Sequence, residues 1–319
     1  MSGRGLVLLV AVALSLTGCA RIVDGMPLAA APALAPSMGA STELGDYNTV
    51  DPCSMVDIEG LPTDLQAQLA PAESLDYCSL EIDSAGNDAE VDVGELLFHA
   101  DDDAGDPDPL PSGLSLYTGT LDPDDGSCTA DLEFADGVDL ASTAYDDDEG
   151  NGTDALCTAA AEVARNVSGV LARGPVTHRR FPANSFGTLD PCTMLNQAAL
   201  DTVPVGNPTP YPAHHECDWG DADSLSVSLT FIVGPPPAAQ QDATASQIAG
   251  RNSVTYSDTH DSEAECWIDT GGVPFASSDQ DLVEIAEIFV GDPGQSTDQA
   301  CAVGTTVANI VWPELPATS

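Results

Sequence analysis

Lysine is absent from this chain, and seven arginines are its strong bases against 52 acidic residues, for a formal net charge of -45. That imbalance excludes nucleic acid as a partner, because a phosphate backbone is bound by cations that displace its counterions. It repels anionic lipid headgroups for the same reason, so contact with a membrane requires a covalent anchor. An acidic surface without lysine also suits solubility in salty surroundings, where screening shortens self-repulsion to about 8 Å or less. Aromatic residues make up only 5% of the chain, so the core must be built mainly from Val, Leu, Ile and Ala. Catalytic signatures are missing too. There is no Gly-x-Ser-x-Gly elbow, no His-Glu-x-x-His and no kinase motif. Carboxylates abound, so composition neither identifies nor excludes a glycosidase-like acid pair.

What is present divides the chain. At 319 residues with 43% hydrophobic content, two domains of roughly 130 to 150 residues are expected. Arg4 precedes an uncharged apolar run, Leu6 to Leu16, that matches a secretory signal and is too short to span a bilayer. The run ends in Leu16-Thr17-Gly18-Cys19, which resembles a bacterial lipobox; an ordinary cleaved signal with an incidental cysteine is the competing reading. Residues 1–18 are then a lipoprotein signal peptide, and Cys19 carries the diacylglyceryl and palmitate-type acyl groups. Residues 19–45, rich in Ala, Pro, Ser and Met, form a flexible tether. The localisation expected is the outer face of the cytoplasmic membrane, held there by lipid alone.

Eight further cysteines fall into two sets of four: 53, 78, 128, 157 and 192, 217, 266, 301. The gaps are 25, 50 and 29 in the first set and 25, 49 and 35 in the second. Flanking residues keep the register: Asp51-Pro52-Cys53-Ser54-Met55 aligns with Asp190-Pro191-Cys192-Thr193-Met194, a period of 139 residues. The chain therefore carries two copies of one domain, over 46–176 and 177–319. Asp before Pro is a helix start, since Asp accepts from free amides and Pro at the first position loses no needed donor. Strands are expected at Cys78–Ile82, Glu90–Leu96, Cys128–Leu132, Cys217–Trp219, Leu225–Leu229 and Cys266–Asp269 from their period-two alternation. The last cysteine of each copy opens a helix. One face of the first helix collects Leu156, Ala160, Val163, Ala164, Val167, Val170 and Leu171, with Gly174 beyond it; the second collects Val303, Val307, Ala308 and Val311 before Pro313.

An even cysteine count in an exported chain implies disulfides, with three pairings open per copy. Sequential pairing is preferred: Cys53 with Cys78, Cys128 with Cys157, Cys192 with Cys217, and Cys266 with Cys301. Each bridge is worth roughly 3 to 4 kcal/mol by chain entropy. Zinc is disfavoured, since no two cysteines have close ligand spacing. The expected fold class is α+β: two tandem repeats, each an antiparallel sheet of four or five strands with helices packed on one face. An extra helix is expected over Ala238–Ala249, in a stretch that the Asp- and Pro-rich residues 106–113 cannot match.

The lipobox, the linker, the two DPC starts and Cys217-Asp218-Trp219 together resemble actinobacterial DPC-motif lipoproteins that carry a domain of unknown function. The resemblance covers nearly all of the mature chain, and copy one departs from it with Leu80 in the Trp position. A more distant likeness links it to extracytoplasmic sensor domains of actinobacterial Ser/Thr kinases. Neither kinship implies catalysis. The anchor, the tether, the duplication and the missing catalytic set point to an accessory, sensing or ligand-binding role in the envelope.

Candidate sites are few. The clusters Asp101-Asp102-Asp103, Asp122-Pro123-Asp124-Asp125-Gly126 and Asp146-Asp147-Asp148-Glu149-Gly150-Asn151-Gly152 offer oxygen ligands for calcium, but none completes an EF-hand loop, and solvated loops explain them as well. No cofactor is expected beyond that. His214, His215 and Glu216 carry metal-ligand chemistry, but neighbours in an extended segment point apart. They are read as an exposed loop tip. His99, His178 and His260 stand alone, and Arg179-Arg180 read as a solvated or salt-bridged linker. Trp219 and Trp267 are the candidate ligand contacts, with packing over a disulfide as the alternative. The function expected is a non-enzymatic binding or sensing module for an unknown envelope ligand or protein. An Asp/Glu hydrolase and a passive structural protein are the alternatives. Native mass determination on the protein from its own host should show loss of residues 1–18, a gain of lipid mass and eight missing hydrogens. An unmodified mass contradicts both the anchor and the bridges.

Overall fold

Alternating apolar and polar residues fold each copy into a sheet that buries one face beneath a helix. The computed structural model describes residues 22–23, 26–27, 37–71, 74–84, 87–99, 107–119, 126–146, 152–195, 203, 205–220, 224–238, 243–260, 263–275, 281–293 and 296–317. The lipobox and Cys19 lie outside them. Segment 1–35 is a unit of its own, in which β1 (Ile22–Val23) pairs antiparallel with β2 (Met26–Pro27). Both repeats belong to one second unit, 36–319.

In the first repeat β3 (Gln68–Leu69), β4 (Cys78–Ser84), β5 (Asn87–Phe98), β6 (Asp108–Pro109), β7 (Ser115–Gly119), β8 (Ser127–Glu133) and β9 (Val138–Tyr145) form an antiparallel sheet ordered β3-β4-β5-β9-β8-β7-β6. In the second, β10 (Pro208–Pro210), β11 (Glu216–Trp219), β12 (Ser226–Gly234), β13 (Thr244–Ile248), β14 (Arg251–His260), β15 (Glu263–Pro274) and β16 (Val283–Pro293) are ordered β10-β11-β12-β16-β15-β14-β13. The topology is the same, displaced by seven strands. The duplication read from cysteine spacing is thus a duplication of fold, and the fold class is α+β.

Three expectations are corrected. Each sheet has seven strands, not four or five. The residues expected as an extra helix include β13, which pairs with β14, and the Asp/Pro-rich stretch of copy one supplies its counterpart, β6. Four of the five β13 residues are exposed, so the strand shows no apolar period, and backbone pairing at the sheet edge overrides the helix preference of Ala and Gln. The folded part also begins before residue 46. In α1 (Ala40–Glu43) Ala40 is fully buried, as is Leu44 just after it, and the Ala40 amide donates to Asp136 Oδ1 at 2.7 Å.

Each DPC start is a single 3-10 turn, Pro52–Met55 and Pro191–Thr193. Proline occupies the first position in both, and in the second the Asp190 carboxylate accepts from the Cys192 amide at 2.9 Å. A side chain at Gly94, whose φ is +115°, would place Cβ 2.8 Å from Pro52 Cβ. The missing side chain lets the first turn lie against β5. Disulfides join Cys53 to Cys78, Cys128 to Cys157, Cys192 to Cys217 and Cys266 to Cys301. In each repeat one bridge ties the DPC turn to the sheet and the other ties the closing helix to it.

The closing helices are α2 (Thr153–Leu171) and α3 (Thr297–Val311). Helix α2 buries Leu156, Ala160, Val163, Ala164, Val167 and Leu171 as its period requires, while Val170 is half-buried at the margin. Beneath it lie cross-strand rows such as Leu80, Val91, Ala144 and Cys128. Helix α3 starts on a Ser296–Gln299 capping box and covers rows such as Cys217, Leu229, Ile288 and Ile268. Gly304 brings it close, since a Cβ there would lie 3.0 Å from Ile268 Cδ1.

The repeats are joined by more than the chain. Residues 177–179 return along repeat one: Val50 bridges His178, and the Asp51 amide donates to Thr177 O at 2.9 Å. Arg179 reaches Asp51 Oδ1 at 3.4 Å, donates to Leu75 O at 3.0 Å and lies over the Phe275 ring. The linker reading of the arginine pair therefore splits: Arg179 is largely covered and ion-paired, and Arg180 is exposed. Ser74 of repeat one bridges Ile232 of β12, and Leu75, 2% exposed, packs in the core of repeat two. Leu75→Ala should cost about 2 to 5 kcal/mol. Because that side chain sits in the other repeat's core, urea unfolding should show the loss in repeat two, followed by Trp219 and Trp312 fluorescence. Unchanged tryptophan transitions contradict the shared core.

Candidate functional site

A strand that points alternate residues into the core must point the rest to the opposite face, and here that face carries the chemistry. In repeat two the strands line up Asp218, Ser228, Phe289, Trp267 and Tyr256 in one row, and Glu216, Thr230, Glu287, Asp269 and Val254 in the next. The Trp267 and Tyr256 rings stack nearly parallel, with centroids 5.0 Å apart, and Phe289 tilts against Trp267 at 5.2 Å. Counting from the matched cysteines, the repeat-one positions equivalent to Phe289, Trp267 and Tyr256 are Thr143, Thr129 and Gly119. The aromatic row belongs to copy two alone. One acid on this face is kept in both copies: Asp131 on β8 and Asp269 on β15 stand at the same position, and each has a buried Oδ1 with no hydrogen-bond partner among the described residues.

Carboxyls crowd this face with little positive charge to offset them. Burial, reinforced by Asp139, pushes Asp131 up to about 6, against a smaller opposing pull from His99. Burial also raises Asp269, and its neighbour Glu287 raises it further; the two hydrogen bond across strands. The Tyr256 hydroxyl donates to Glu287 Oε2 at 3.3 Å.

Where the repeats meet, a cavity of about 160 Å³ is lined by Asp76, Tyr77 and Glu95 of repeat one and by Tyr211, Glu216 and Thr230 of repeat two. Glu95 is pushed up to about 7 by burial and then by the charges of Asp76, Asp92, Asp131 and Asp218. Glu216 rises to about 8 by burial and then by Asp218, Glu95, Asp76 and Glu287. Repulsion thus links carboxyls of both repeats. Tyr211 donates to Asp218 Oδ2 at 2.7 Å. Behind the cavity His215, 1% exposed, pairs through Nδ1 with Asp76; its Nε2 lies 3.3 Å from both the Asn48 amide and Gly187 O, and its ring meets Phe181 edge-on.

The sequence candidates separate on this framework. Trp219 is fully buried beside Cys217 on the helix side, where Leu80 stands in copy one, so it is core and cannot touch a ligand. Trp267 is half-buried on the opposite face from its neighbouring Cys266. The exposed-loop reading of the histidine pair is corrected: His214 is exposed, His215 is buried at the junction, and Glu216 turns into the cavity. The three do not converge. His99 pairs with Asp139 at 2.8 Å, His178 Nδ1 lies 2.9 Å from Thr49 Oγ1, and the His260 backbone pairs with Glu263. Asp101–Asp103, Asp122–Asp125 and Asp147–Asn151 lie outside the described residues; Asp146 is at their margin. Among the described residues, no group of three His, Cys, Asp or Glu side chains is placed to hold a metal ion. Sequence reasoning missed Glu95, Asp269, Glu287 and Tyr256. Strand alternation was the available signal for Asp269, Glu287 and Tyr256; Glu95 shares the parity of the buried Val91 and Val93, and the irregularity between Val93 and Leu96 breaks that alternation.

Four disulfides accord with an oxidising, extracytoplasmic compartment. No described helix is long and apolar enough to cross a membrane. Compared with protein-family models, curated proteins and solved structures, the chain matches none of them.

Glu95 and Glu216 hold protons in the fold well above the ordinary glutamate value of 4.5. Between about pH 4.5 and 8 the folded chain binds more protons than the unfolded one, so stability must fall as pH rises through that window. Glu216→Gln should flatten the fall, raising the melting temperature at pH 8 and changing it little at pH 4.5. Thermal unfolding across this range tests it, and an equal effect at both pH values contradicts the assignment.

Proposed function

We propose that this chain is an extracytoplasmic lipoprotein, anchored through Cys19, that acts as a non-enzymatic binding or sensing module of the cell envelope. The observation that carries the reading is the unequal divergence of the two copies. Beneath the helices both keep disulfides and apolar rows, while on the far face copy two replaces Thr143, Thr129 and Gly119 by Phe289, Trp267 and Tyr256. Packing asks for no stacked aromatic row on a face turned from the core, and copy one folds without it. A recognition surface does ask for one: aromatic side chains supply large contact area at low conformational cost. The resemblance to DPC-motif lipoproteins and kinase sensor domains is compatible with this role, and the partner proposed is an envelope ligand or protein.

A second reading has an observation of its own. Glu95 and Glu216 line one cavity with proton affinities raised to near neutral, as an acid catalyst requires. Equilibrium dialysis of the mature chain with solubilised envelope-polymer fragments separates the two. Binding predicts saturable retention, fragments recovered at unchanged mass, and at least tenfold weaker retention by Trp267→Ser. Shortened fragments, with cleavage lost in Glu216→Gln, overturn the non-enzymatic reading.

A further inference from the structure

One cavity on the far face of repeat two differs from the others in having apolar walls and, among the described residues, a single carboxyl. It measures about 300 Å³ and is bounded by Pro235, Pro236 and Pro237, with Val254, Ile285 and the Tyr256 ring completing the wall and Asp269 the only carboxyl lining it among the described residues. Volumes of this order hold small molecules. Its shape is fixed from two sides. The prolines leave their own backbone little freedom, and Tyr256 is held by the stack on Trp267 and by its hydrogen bond to Glu287.

The charge within it is uncompensated. Asp269 shares a hydrogen bond with Glu287, but its Oδ1 is buried and finds no partner among the described residues. Arg251 on the neighbouring strand β14 points the other way, donating to Trp312 O and Leu315 O at the helix side. A buried carboxyl oxygen without a donor is costly unless something supplies one. This chain has no lysine to do so. The same aspartate recurs in copy one as Asp131, likewise with an unpartnered Oδ1, so the position is a feature of the repeat. Only copy two builds the proline and tyrosine walls around it.

We propose that this cavity binds an organic ammonium ion, with the N–H groups on Asp269 and the apolar body between the Pro235–Pro237 wall and the Tyr256 ring. The inference rests on the binding reading above and names the ligand class. An ammonium group in the cavity meets the Asp269 carboxyl on its wall, which has no cation against it among the described residues, and the tyrosine face attracts the same charge through its ring quadrupole. Anions are repelled. A neutral ligand fills the walls and leaves the carboxyl charge uncompensated.

Benzylammonium is the probe and benzyl alcohol its neutral counterpart, titrated into the full mature chain by saturation-transfer NMR and calorimetry in low salt. Benzylammonium should bind at least tenfold more tightly than benzyl alcohol, and Asp269→Asn should abolish that difference. Ala243→Trp fills the cavity from its rim without touching the carboxyl pair, and it should remove binding of both, which keeps the test valid should Asp269→Asn disturb the sheet. Equal affinity for the two probes, or no binding by the wild-type chain, overturns the proposal. Retention of envelope fragments in the dialysis experiment would then leave the binding reading standing, whereas loss of both results removes the two together.

Discussion

Among the described residues one long helix covers each seven-stranded sheet, and the rest of the molecule follows from that economy. A helix of 19 or 15 residues shields the central strands and leaves the outer ones to other devices. The disulfides are those devices. One bolts the helix to the strand beneath it, and the other bolts the DPC turn to the sheet, so both are held by covalent bonds as well as by packing.

The second face of each sheet remains, and it has to be polar in a chain almost without cations. Carboxylates on adjacent strands therefore meet other carboxylates. They accommodate one another by retaining protons, by sharing them across strands, or by taking hydrogen bonds from tyrosine, as Tyr256, Tyr211 and Tyr145 do for Glu287, Asp218 and Asp92. The junction concentrates the effect. Leu75 and Arg179 lock the repeats together, and this brings Glu95 of one against Glu216 of the other. Rigidity and electrostatic tension are two consequences of one interface.

Duplication let the two faces of the repeat change at different rates. Substitutions beneath the helix are constrained by volume, so Leu80 and Trp219 occupy the same fully buried position with only local adjustment. Substitutions on the far face meet no such limit. Copy two used the freedom to install an aromatic row and a proline-walled cavity beside an aspartate that both copies retain.

Much of this was legible in the residues. Cysteine spacing and the DPC register fixed the duplication, because both record a covalent framework that cannot drift without breaking. The bridges, the closing helices and the α+β class followed, since a 3.6-residue apolar period and a two-residue alternation read directly as faces. Edge strands such as β6 and β13 left no trace, because an exposed strand is held by backbone bonds that carry no side-chain signature. The site was hidden for a related reason. Parity shows that Asp269 and Trp267 share a face, but that Tyr256 stacks on Trp267, that Pro235–Pro237 wall a cavity, and that Glu95 meets Glu216 across 121 residues of chain are matters of register and docking. Only the tertiary structure brings those groups into range, and Coulomb repulsion and desolvation act on distance and burial, which the order of residues does not contain.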